Sequence, residues 1–208
     1  MKKFNLIIGA SIGIVVLLVL IIITNKVNYD NIALQAQEPL NLSVEEKVQV
    51  VLQTSKGDIH MDVYPKLVPE TAQNFLFLAK ENKYDGVIFH RVINNFMIQT
   101  GDFENFNGTG GHSYKGEGTT IDEEFNPKLR HVYGAVSMAK TNMPSTTGSQ
   151  FFIVQSKTGT PHLDNQHSVF GMVTKGMDVV EKIANSKISN SIKDRPLYDI
   201  EIEDVIIK

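Results

Sequence analysis

The sequence predicts a mainly β protein, folded as a barrel or a sandwich, with two helices in its main body. Short segments rich in β-branched and aromatic residues recur between turn residues, as expected for strands. Only two stretches space their apolar residues three or four apart, as a helix with one buried face does. Many short strands with few helices are typical of closed or stacked antiparallel sheets.

The first predicted elements are a β-hairpin and a helix. Val48–Thr54 forms the first strand, Ser55–Asp58 reads as a turn, and Ile59–Val63 is the returning strand. The helix is expected to begin at Pro69, which suits the first helical position, with Glu70 favourable near the helix N-terminus. The buried stripe predicted for this helix consists of Ala72, Phe75, Leu76 and Ala79.

The later predicted elements are short. Strands are expected at Val87–Ile93, Met97–Thr100, Gly134–Met138, Phe151–Val154 and Ser168–Val173. A second helix is expected over Met177–Asn185, where the apolar residues again fall on one face. Ile200–Ile207 alternates apolar and acidic residues, as a closing strand with one buried face would.

An uncharged apolar run lies near the N-terminus. The 18 residues from Leu6 to Ile23 carry no charge, and as a helix they would extend about 27 Å, close to the thickness of a bilayer's hydrocarbon core. The run is longer than the apolar region of most secretory signals, and no small-x-small cleavage site follows it directly. We therefore expect an uncleaved single-pass anchor. The alternatives are a cleaved signal, using the weak site Ala33–Ala36, and a buried helix of a soluble domain.

An anchor of this kind would divide the chain into four parts. Residues 1–5 would be a short cytoplasmic N-terminus, because their two lysines favour that side of the membrane. Residues 6–23 would span the bilayer, residues 24–46 would form a polar spacer, and residues 47–208 would form the main domain. The main domain is then expected to be membrane-anchored and extracytoplasmic, or secreted if the signal is cleaved.

Composition excludes several classes of function. The net charge of −3 provides no basic field for a phosphate backbone, so nucleic-acid binding is not expected. The absence of cysteine excludes disulfides, thiolate nucleophiles and zinc–cysteine sites. None of the six histidines belongs to an H-E-x-x-H motif or to a carboxylate–histidine cluster with ligand spacing, so no metal site is predicted.

One long motif is far more specific than these patterns. Phe89–Phe103 reads F-H-R-V-I-N-N-F-M-I-Q-T-G-D-F, which closely resembles the signature of the cyclophilin family of peptidyl-prolyl cis-trans isomerases. Four further blocks follow in the order of that family, at Gly108–Gly111, Ser137–Ala139, Gly148–Ile153 and Leu163–Gly171. The resemblance spans roughly residues 48–208. It implies an eight-stranded antiparallel β-barrel closed by two α-helices, and an isomerase that acts on proline-containing segments without metal or cofactor.

The resemblance also implies a role for each matching residue. Arg91 is implied to be the catalytic arginine. The proline pocket is implied to consist of Phe96, Met97, Phe152 and Leu163. The polar wall is implied to consist of Gln99 and Gln150, and the groove is implied to be lined also by His90, Ala139 and His167.

The chemistry of prolyl isomerisation suits these residue types. Amide resonance sets a barrier of about 18–20 kcal/mol to rotation about the peptide bond, and no bond needs to be broken to cross it. A nucleophile, a metal or a redox cofactor is therefore unnecessary. In the twisted state the prolyl nitrogen becomes pyramidal and basic, and a guanidinium can donate a hydrogen bond to it, or to the adjacent carbonyl, without losing its own proton.

Three hypotheses follow for the function of the whole chain. The first is a membrane-tethered prolyl isomerase that assists the folding of exported proteins. The second is a binding module whose groove captures proline-containing segments as a chaperone or scaffold. The third, a structural spacer at the membrane, leaves the groove unexplained. Arg91 favours the enzyme, because binding alone does not need an arginine held beside the pocket.

The sequence departs from the family pattern in three places. His162 precedes Leu163 where many members carry tryptophan, a position associated with cyclosporin binding, so we expect weakened cyclosporin binding with retained catalysis. The segment Lys140–Thr147 is one residue longer than the common eukaryotic form, and Asn142 within it is a candidate substrate contact, as is His162 itself. Asn94-Asn95 replaces the usual Pro-Gly.

Overall fold

The computed structural model describes residues 47–208. Eight strands are present, β1 Val48–Thr54, β2 Gly57–Val63, β3 Arg91–Ile93, β4 Met97–Thr100, β5 Ala135–Met138, β6 Phe151–Val154, β7 Val169–Lys175 and β8 Ile202–Ile207. The helices are α1 Pro69–Lys80 and α2 Met177–Ala184, and a short 3₁₀ turn covers Pro161–Leu163. The prediction of a mainly β domain with two helices is confirmed.

The predicted anchor and spacer lie outside the described residues. Between residues 47 and 208, neither helix combines the length and the apolar character needed to cross a bilayer.

All eight strands belong to one antiparallel sheet that curls into a half-barrel. Their order is β3-β4-β6-β5-β7-β2-β1-β8, so β3 and β8 are the two edges. Residues just before β3 hydrogen-bond to the beginning of β8, with Phe89 N donating to Ile200 O at 2.8 Å and Ile202 N donating to Val87 O at 2.9 Å. These bonds bring the two edges of the sheet together without a continuous ladder. The predicted strand number and antiparallel pairing are confirmed.

The hairpin of β1 and β2 forms where it was predicted. Thr54 pairs with Gly57, which leaves Ser55 and Lys56 as a two-residue turn. Gly57 has a φ of +124°, which only glycine adopts without strain. Strand β2 begins at Gly57, two residues before Ile59, where the apolar pattern predicted its start.

The predicted strand over residues 87–93 is divided in the structure. Ile88 makes an isolated bridge to Glu201, whereas Arg91–Ile93 pairs with β4. The two halves hydrogen-bond to different partners because the chain crosses from one edge of the sheet to the other near residue 90. This division places Arg91 at the first position of an edge strand.

Helix α1 begins at Pro69, as predicted, and packs its apolar face against the sheet. The Thr71 backbone N–H donates to a Glu124 carboxylate oxygen at 2.7 Å, so a distant side chain satisfies one of the free donors at the helix N-terminus. Phe75, at the centre of the buried face, lies 5.3 Å from the ring of Phe151 and 5.0 Å from that of Phe170, measured between centroids. These aromatic contacts join the helix to the sheet.

Two separate apolar clusters occupy the domain. The larger one forms the main core, and it includes Phe151 and Ile153 of β6. The smaller one includes Phe152 and Val154 of the same strand. Successive strand residues point to opposite faces, so β6 serves the main core with one face and the smaller cluster with the other. The smaller cluster carries the candidate site.

Candidate active site

Three neighbouring strands place Arg91, Gln99 and Phe152 in one row. Arg91 on β3 pairs with Gln99 on β4, and Gln99 pairs with Phe152 on β6. Paired residues of adjacent antiparallel strands point to the same face of the sheet. The guanidinium and the phenyl ring therefore lie on one face, with the amide of Gln99 between their strands.

The guanidinium of Arg91 has two partners. Its Nη1 donates to Gln99 Oε1 at 3.3 Å, and its Nε lies 3.8 Å from a carboxylate oxygen of Asp194. The side chain remains 45% exposed, so a bound peptide can reach it. Asp194 belongs to the segment before β8, far from Arg91 along the chain, and no motif in the sequence pointed to it.

A chain of hydrogen bonds continues from Gln99 into a neighbouring loop. Gln99 Nε2 donates to Gln150 Oε1 at 2.9 Å, and Gln150 Nε2 donates to the carbonyl of Gly110 at 2.8 Å. The two glutamines that were predicted as a polar wall are therefore in direct contact. Each has both ends of its amide engaged, which fixes the orientation of the amide.

The four residues predicted as the proline pocket share the smaller apolar cluster. Met97 and Phe152 are buried in it, and Phe96 and Leu163 are partly buried against them, together with Ala139. The ring of Phe96 stacks on His162 at 6.0 Å with an interplanar angle of 19°. The result is an apolar surface beside the row that holds Arg91.

His167 lies at the same pocket. Its ring meets Phe152 edge-on, with 5.6 Å between centroids, and its Nδ1 lies 3.2 Å from the carbonyl oxygen of Met138. The carbonyl can only accept, so Nδ1 carries the proton in this contact. Burial lowers the pKa of His167, which keeps the ring neutral near pH 7.

His90 occupies a different position from the other predicted groove residues. It is 6% exposed, and a Cβ added at Gly108 would come within 3.0 Å of its ring. Neither ring nitrogen has a hydrogen-bond partner within residues 47–208. Burial lowers the pKa of His90. The structure thus places His90 under the glycine-rich loop, and its contact with substrate stays a prediction.

The segment Lys140–Thr147 borders a cavity next to the candidate site. This cavity has a volume of about 220 Å³ and shares Gln99, Ala139 and Gln150 with the candidate site. Glu123 holds the segment, because it pairs with Lys140 at 3.3 Å and accepts a hydrogen bond from Ser145 N at 3.1 Å. Asn142 is exposed in this segment, outside the apolar cluster.

A pair that sequence reasoning missed, the buried His131 and the partly buried Asp164, supports the pocket from behind. His131 Nδ1 lies 2.9 Å from Asp164 Oδ1, and its Nε2 lies 3.0 Å from the hydroxyl of Ser137. The His131 ring stacks on Phe152 at 5.9 Å. Asp164 directly follows Leu163, so the pair fixes the turn that presents Leu163 to the pocket. No sequence signal marks this pair, because its partners are far apart along the chain.

Burial and hydrogen bonding act in opposite directions on Asp164. Burial alone would raise the pKa of this carboxyl. Hydrogen bonds from the backbone and ring of His131, and from Arg130, outweigh that effect and lower the pKa to about 2. The carboxylate is therefore ionised at neutral pH, and it requires a proton on His131 Nδ1. Burial lowers the pKa of His131 despite Asp164, so its Nε2 is free to accept from Ser137.

Asp164→Asn should lower the free energy of unfolding by about 2 kcal/mol at pH 7. The folded-state pKa of Asp164 lies below its ordinary value of 3.8, so its stabilising contribution is present above about pH 4 and is lost as the pH falls towards 2. Urea unfolding of wild type and variant at pH 7 and at pH 3 measures this effect. The difference between the two proteins should be smaller at pH 3.

Asp199→Asn is the matched control for that measurement. Asp199 also pairs with an arginine, Arg195, but its side chain is 59% exposed. An exposed ion pair contributes little, so the control should change the free energy of unfolding by less than about 1 kcal/mol. An Asp164→Asn effect that is equally large at pH 3 and pH 7 would contradict the assignment.

Comparison with known proteins identifies the family. The family model described as cyclophilin type peptidyl-prolyl cis-trans isomerase/CLD matches residues 49–207. A putative peptidyl-prolyl cis-trans isomerase of Staphylococcus epidermidis (strain RP62A) is 38% identical in an alignment of length 196, and the match covers 81% of this chain and 96% of the relative. One from Staphylococcus aureus (strain USA300) is 39% identical with the same coverage.

Solved structures lead to the same family. A crystal structure of a cyclophilin type peptidyl-prolyl cis-trans isomerase from Cryptosporidium parvum matches with a TM-score of 0.72 and 32% identity, covering 78% of this chain and 98% of that one. A second structure of that protein, in the presence of the dipeptide Ala-Pro, matches with a TM-score of 0.71 at the same identity and covers 77% and 98% of the two chains. This chain belongs to the cyclophilin-type peptidyl-prolyl cis-trans isomerase family and is an isomerase.

Proposed function

We propose that this isomerase accelerates rotation about Xaa-Pro bonds by holding the proline ring in the apolar pocket and donating a hydrogen bond from Arg91 to the twisted amide. The observation that carries this mechanism is the row Arg91–Gln99–Phe152 across three strands. It sets a permanent donor and an apolar surface on the same face of the sheet.

Binding of the proline ring is the first step. Met97 and Phe152, with Phe96 and Leu163 at their sides, offer an apolar surface to a ring that has no polar atoms beyond its nitrogen. Burying such a ring contributes about 1.5–3 kcal/mol. Once the ring is held, the carbonyl side of the amide is the part that turns.

Stabilisation of the twisted amide is the second step. Twisting removes amide resonance, so the lone pair of the prolyl nitrogen is no longer shared with the carbonyl group. The nitrogen then becomes a better hydrogen-bond acceptor. Arg91 donates to that nitrogen or to the adjacent carbonyl, and it keeps its proton because the guanidinium is always charged. The bond is stronger in the twisted state than in either planar state, and this difference lowers the barrier.

The walls of the site support this step in two ways. The apolar pocket excludes water from one side of the amide, which strengthens a hydrogen bond made there. Gln99 and Asp194 restrict the guanidinium from two sides, so little orientational freedom is lost when it donates. Since no covalent bond is broken, the reaction needs no cofactor.

The solved relative supports a proline-containing substrate. The Cryptosporidium parvum protein was crystallised in the presence of Ala-Pro, and its fold matches this chain closely. Isomerisation of an Ala-Pro peptide by the full chain, followed by NMR exchange between the cis and trans signals, tests the proposal. Faster exchange than in peptide alone supports an enzyme. Binding of the peptide with unchanged exchange supports a module that only captures proline-containing segments.

The biological role we propose is the folding of exported proteins at a membrane. The uncharged run from Leu6 to Ile23, preceded by Lys2 and Lys3, supports a single-pass anchor with residues 47–208 outside the cytoplasm. Fractionation of cells and medium tests this location. The full-length chain in the membrane fraction, accessible to external protease, supports the anchor. A shortened chain in the medium indicates a cleaved signal.

Cyclosporin should bind this chain weakly, and His162→Trp should increase the affinity about tenfold. The indole covers more apolar surface than the imidazole that now stacks on Phe96, and its N–H is a donor. Inhibition of peptide isomerisation by cyclosporin measures the effect, and both proteins should show similar turnover without inhibitor. Equal inhibition constants for the two proteins would contradict this prediction.

A further inference from the structure

The loop that follows β4 is folded around one buried carboxylate. Asp102 is fully buried, and its two oxygens accept hydrogen bonds from five backbone N–H groups of this loop. The donors and distances are Glu104 at 3.2 Å, Asn105 at 2.9 Å, Asn107 at 3.1 Å, Gly108 at 2.7 Å and Gly110 at 3.1 Å. The backbone path of residues 103–111 is thus fixed by the side chain of Asp102, which directly precedes them.

The charge of Asp102 is suited to this arrangement. Burial alone would raise the pKa of the carboxyl, but the backbone hydrogen bonds from Asn105, Gly110, Asn107 and Gly108 lower it to about 2. Both oxygens are therefore acceptors at neutral pH. A neutral amide of the same shape could accept at one end only and would turn an NH₂ group towards backbone donors.

The loop delivers one acceptor to the candidate site. The N–H of Gly110 donates to Asp102, and the carbonyl of Gly110 accepts from Gln150 Nε2 at 2.8 Å. A carbonyl cannot donate, so it determines which end of the Gln150 amide faces the loop. The oxygen of that amide must then face Gln99.

The orientation of Gln150 in turn determines which end of the Gln99 amide faces Arg91. Gln150 Oε1 accepts from Gln99 Nε2 at 2.9 Å, which turns Gln99 Oε1 towards the guanidinium, where it accepts from Nη1 at 3.3 Å. If the Gln99 amide were reversed, its NH₂ group would face the guanidinium, donor against donor. The direction of both amides is therefore set by the position of the Gly110 carbonyl.

We propose that Asp102 is a positioning residue for isomerisation: by folding residues 103–111 it places the Gly110 carbonyl, which orients Gln150 and Gln99 so that an amide oxygen holds the guanidinium of Arg91 in its productive position. This inference rests on the proposed role of Arg91 in stabilising the twisted amide. It assigns to the polar wall a function beyond contact with substrate. Asp102 itself touches no reacting atom.

Asp102→Asn in the full chain tests the proposal. We expect kcat for an Ala-Pro peptide to fall about tenfold with KM changed less than about twofold, because the pocket is intact while the donor is misplaced. The side-chain amide NMR signals of Gln99 and Gln150 should shift or broaden. Asp122→Asn, at an exposed position, is the matched control and should leave kcat and the amide signals unchanged.

A double-mutant cycle with Arg91→Ala separates this proposal from the proposed function. If Asp102 acts through Arg91, Asp102→Asn should lower kcat about tenfold in the wild-type background and have almost no effect in the Arg91→Ala background. An equal fall in both backgrounds, or no fall in either, would overturn the positioning role. Unchanged kcat in Arg91→Ala alone would instead overturn the proposed function.

Gly110→Ala provides a second test that keeps the carboxylate. A Cβ at Gly110 would lie 2.7 Å from Asp102 Oδ1 and 2.8 Å from Asn105 Nδ2, so the loop and its carbonyl must shift. The variant should lower kcat, shift the same glutamine signals and again depend on Arg91. If Asp102→Asn does not fold, the outcome with Gly110→Ala decides the proposal by the same criteria.

Discussion

Arg91→Ala should lower kcat/KM for an Ala-Pro peptide by about 10²–10³-fold, the loss typical of removing one preorganised donor from an active site. The bond from the guanidinium is stronger to the twisted amide than to the planar one, so most of the loss should appear in kcat. Arg91→Lys should recover only part of the activity, because an ammonium is a point charge without the planar fork that Gln99 and Asp194 hold.

The fold should tolerate both substitutions. Arg91 lies at the start of an edge strand, its side chain is 45% exposed, and its contact with Asp194 is a partly exposed ion pair. The free energy of unfolding should therefore change by less than about 1 kcal/mol. Activity and urea unfolding measured on the same samples separate the two effects. Equal rates for wild type and Arg91→Ala, with both proteins folded, would contradict the mechanism.

Phe151→Ala and Phe152→Ala should affect different properties although the residues are adjacent: the first mainly the free energy of unfolding, the second mainly KM. Phe152 belongs to the pocket cluster, so its loss should raise KM for an Ala-Pro peptide about tenfold or more, since a proline ring loses a wall worth at least about 1.5 kcal/mol. Phe151 belongs to the main core, where its ring meets those of Phe75, Tyr84 and Phe170. Its loss should lower the free energy of unfolding by about 3–5 kcal/mol.

Each of these variants serves as the control for the other. Both remove one phenyl ring from β6, so a difference between them reports the face of the strand and not the amount of apolar surface lost. Peptide isomerisation and urea unfolding are measured on both proteins. A larger increase in KM for Phe151→Ala than for Phe152→Ala would show that the assignment of the two faces is wrong.

Local pattern was enough to predict much of the fold. Met97–Thr100 and Phe151–Val154 form strands with the predicted boundaries, because each is a compact run of strand-forming residues between turns. Residues 87–93 were predicted as one strand, since the pattern cannot reveal that two parts of one apolar run hydrogen-bond to opposite edges of a sheet. The hydrogen bond from the Thr71 N–H to Glu124 at the start of α1 could not be predicted either, because Glu124 belongs to a distant loop.

The substitution of Asn95 for the usual glycine is explained by backbone geometry. Asn95 lies in the turn between β3 and β4 with a φ of +60°, a left-handed conformation that asparagine tolerates better than most residues. Its N–H donates to Gln155 Oε1 at 2.7 Å, which holds the turn. Asparagine at position 95 therefore suits the left-handed conformation that this turn requires.

The residues of the candidate site were predicted from the sequence, but the residues that hold them in position were not. The motif and the blocks that follow it named Arg91, the two glutamines and the four pocket residues, and the structure brings these groups close together. Asp194, the His131–Asp164 pair and the connection from Asp102 depend on contacts between distant segments. A single sequence contains no periodicity or spacing that encodes such contacts.

The most direct test of the central claim is an experimental structure of this chain with a bound Ala-Pro peptide. We expect the proline ring to lie against Phe152 and Met97, with a guanidinium nitrogen of Arg91 within about 3.5 Å of the prolyl nitrogen or of the preceding carbonyl oxygen. A proline ring bound away from this cluster, or a guanidinium turned away from the Xaa-Pro bond, would contradict the account.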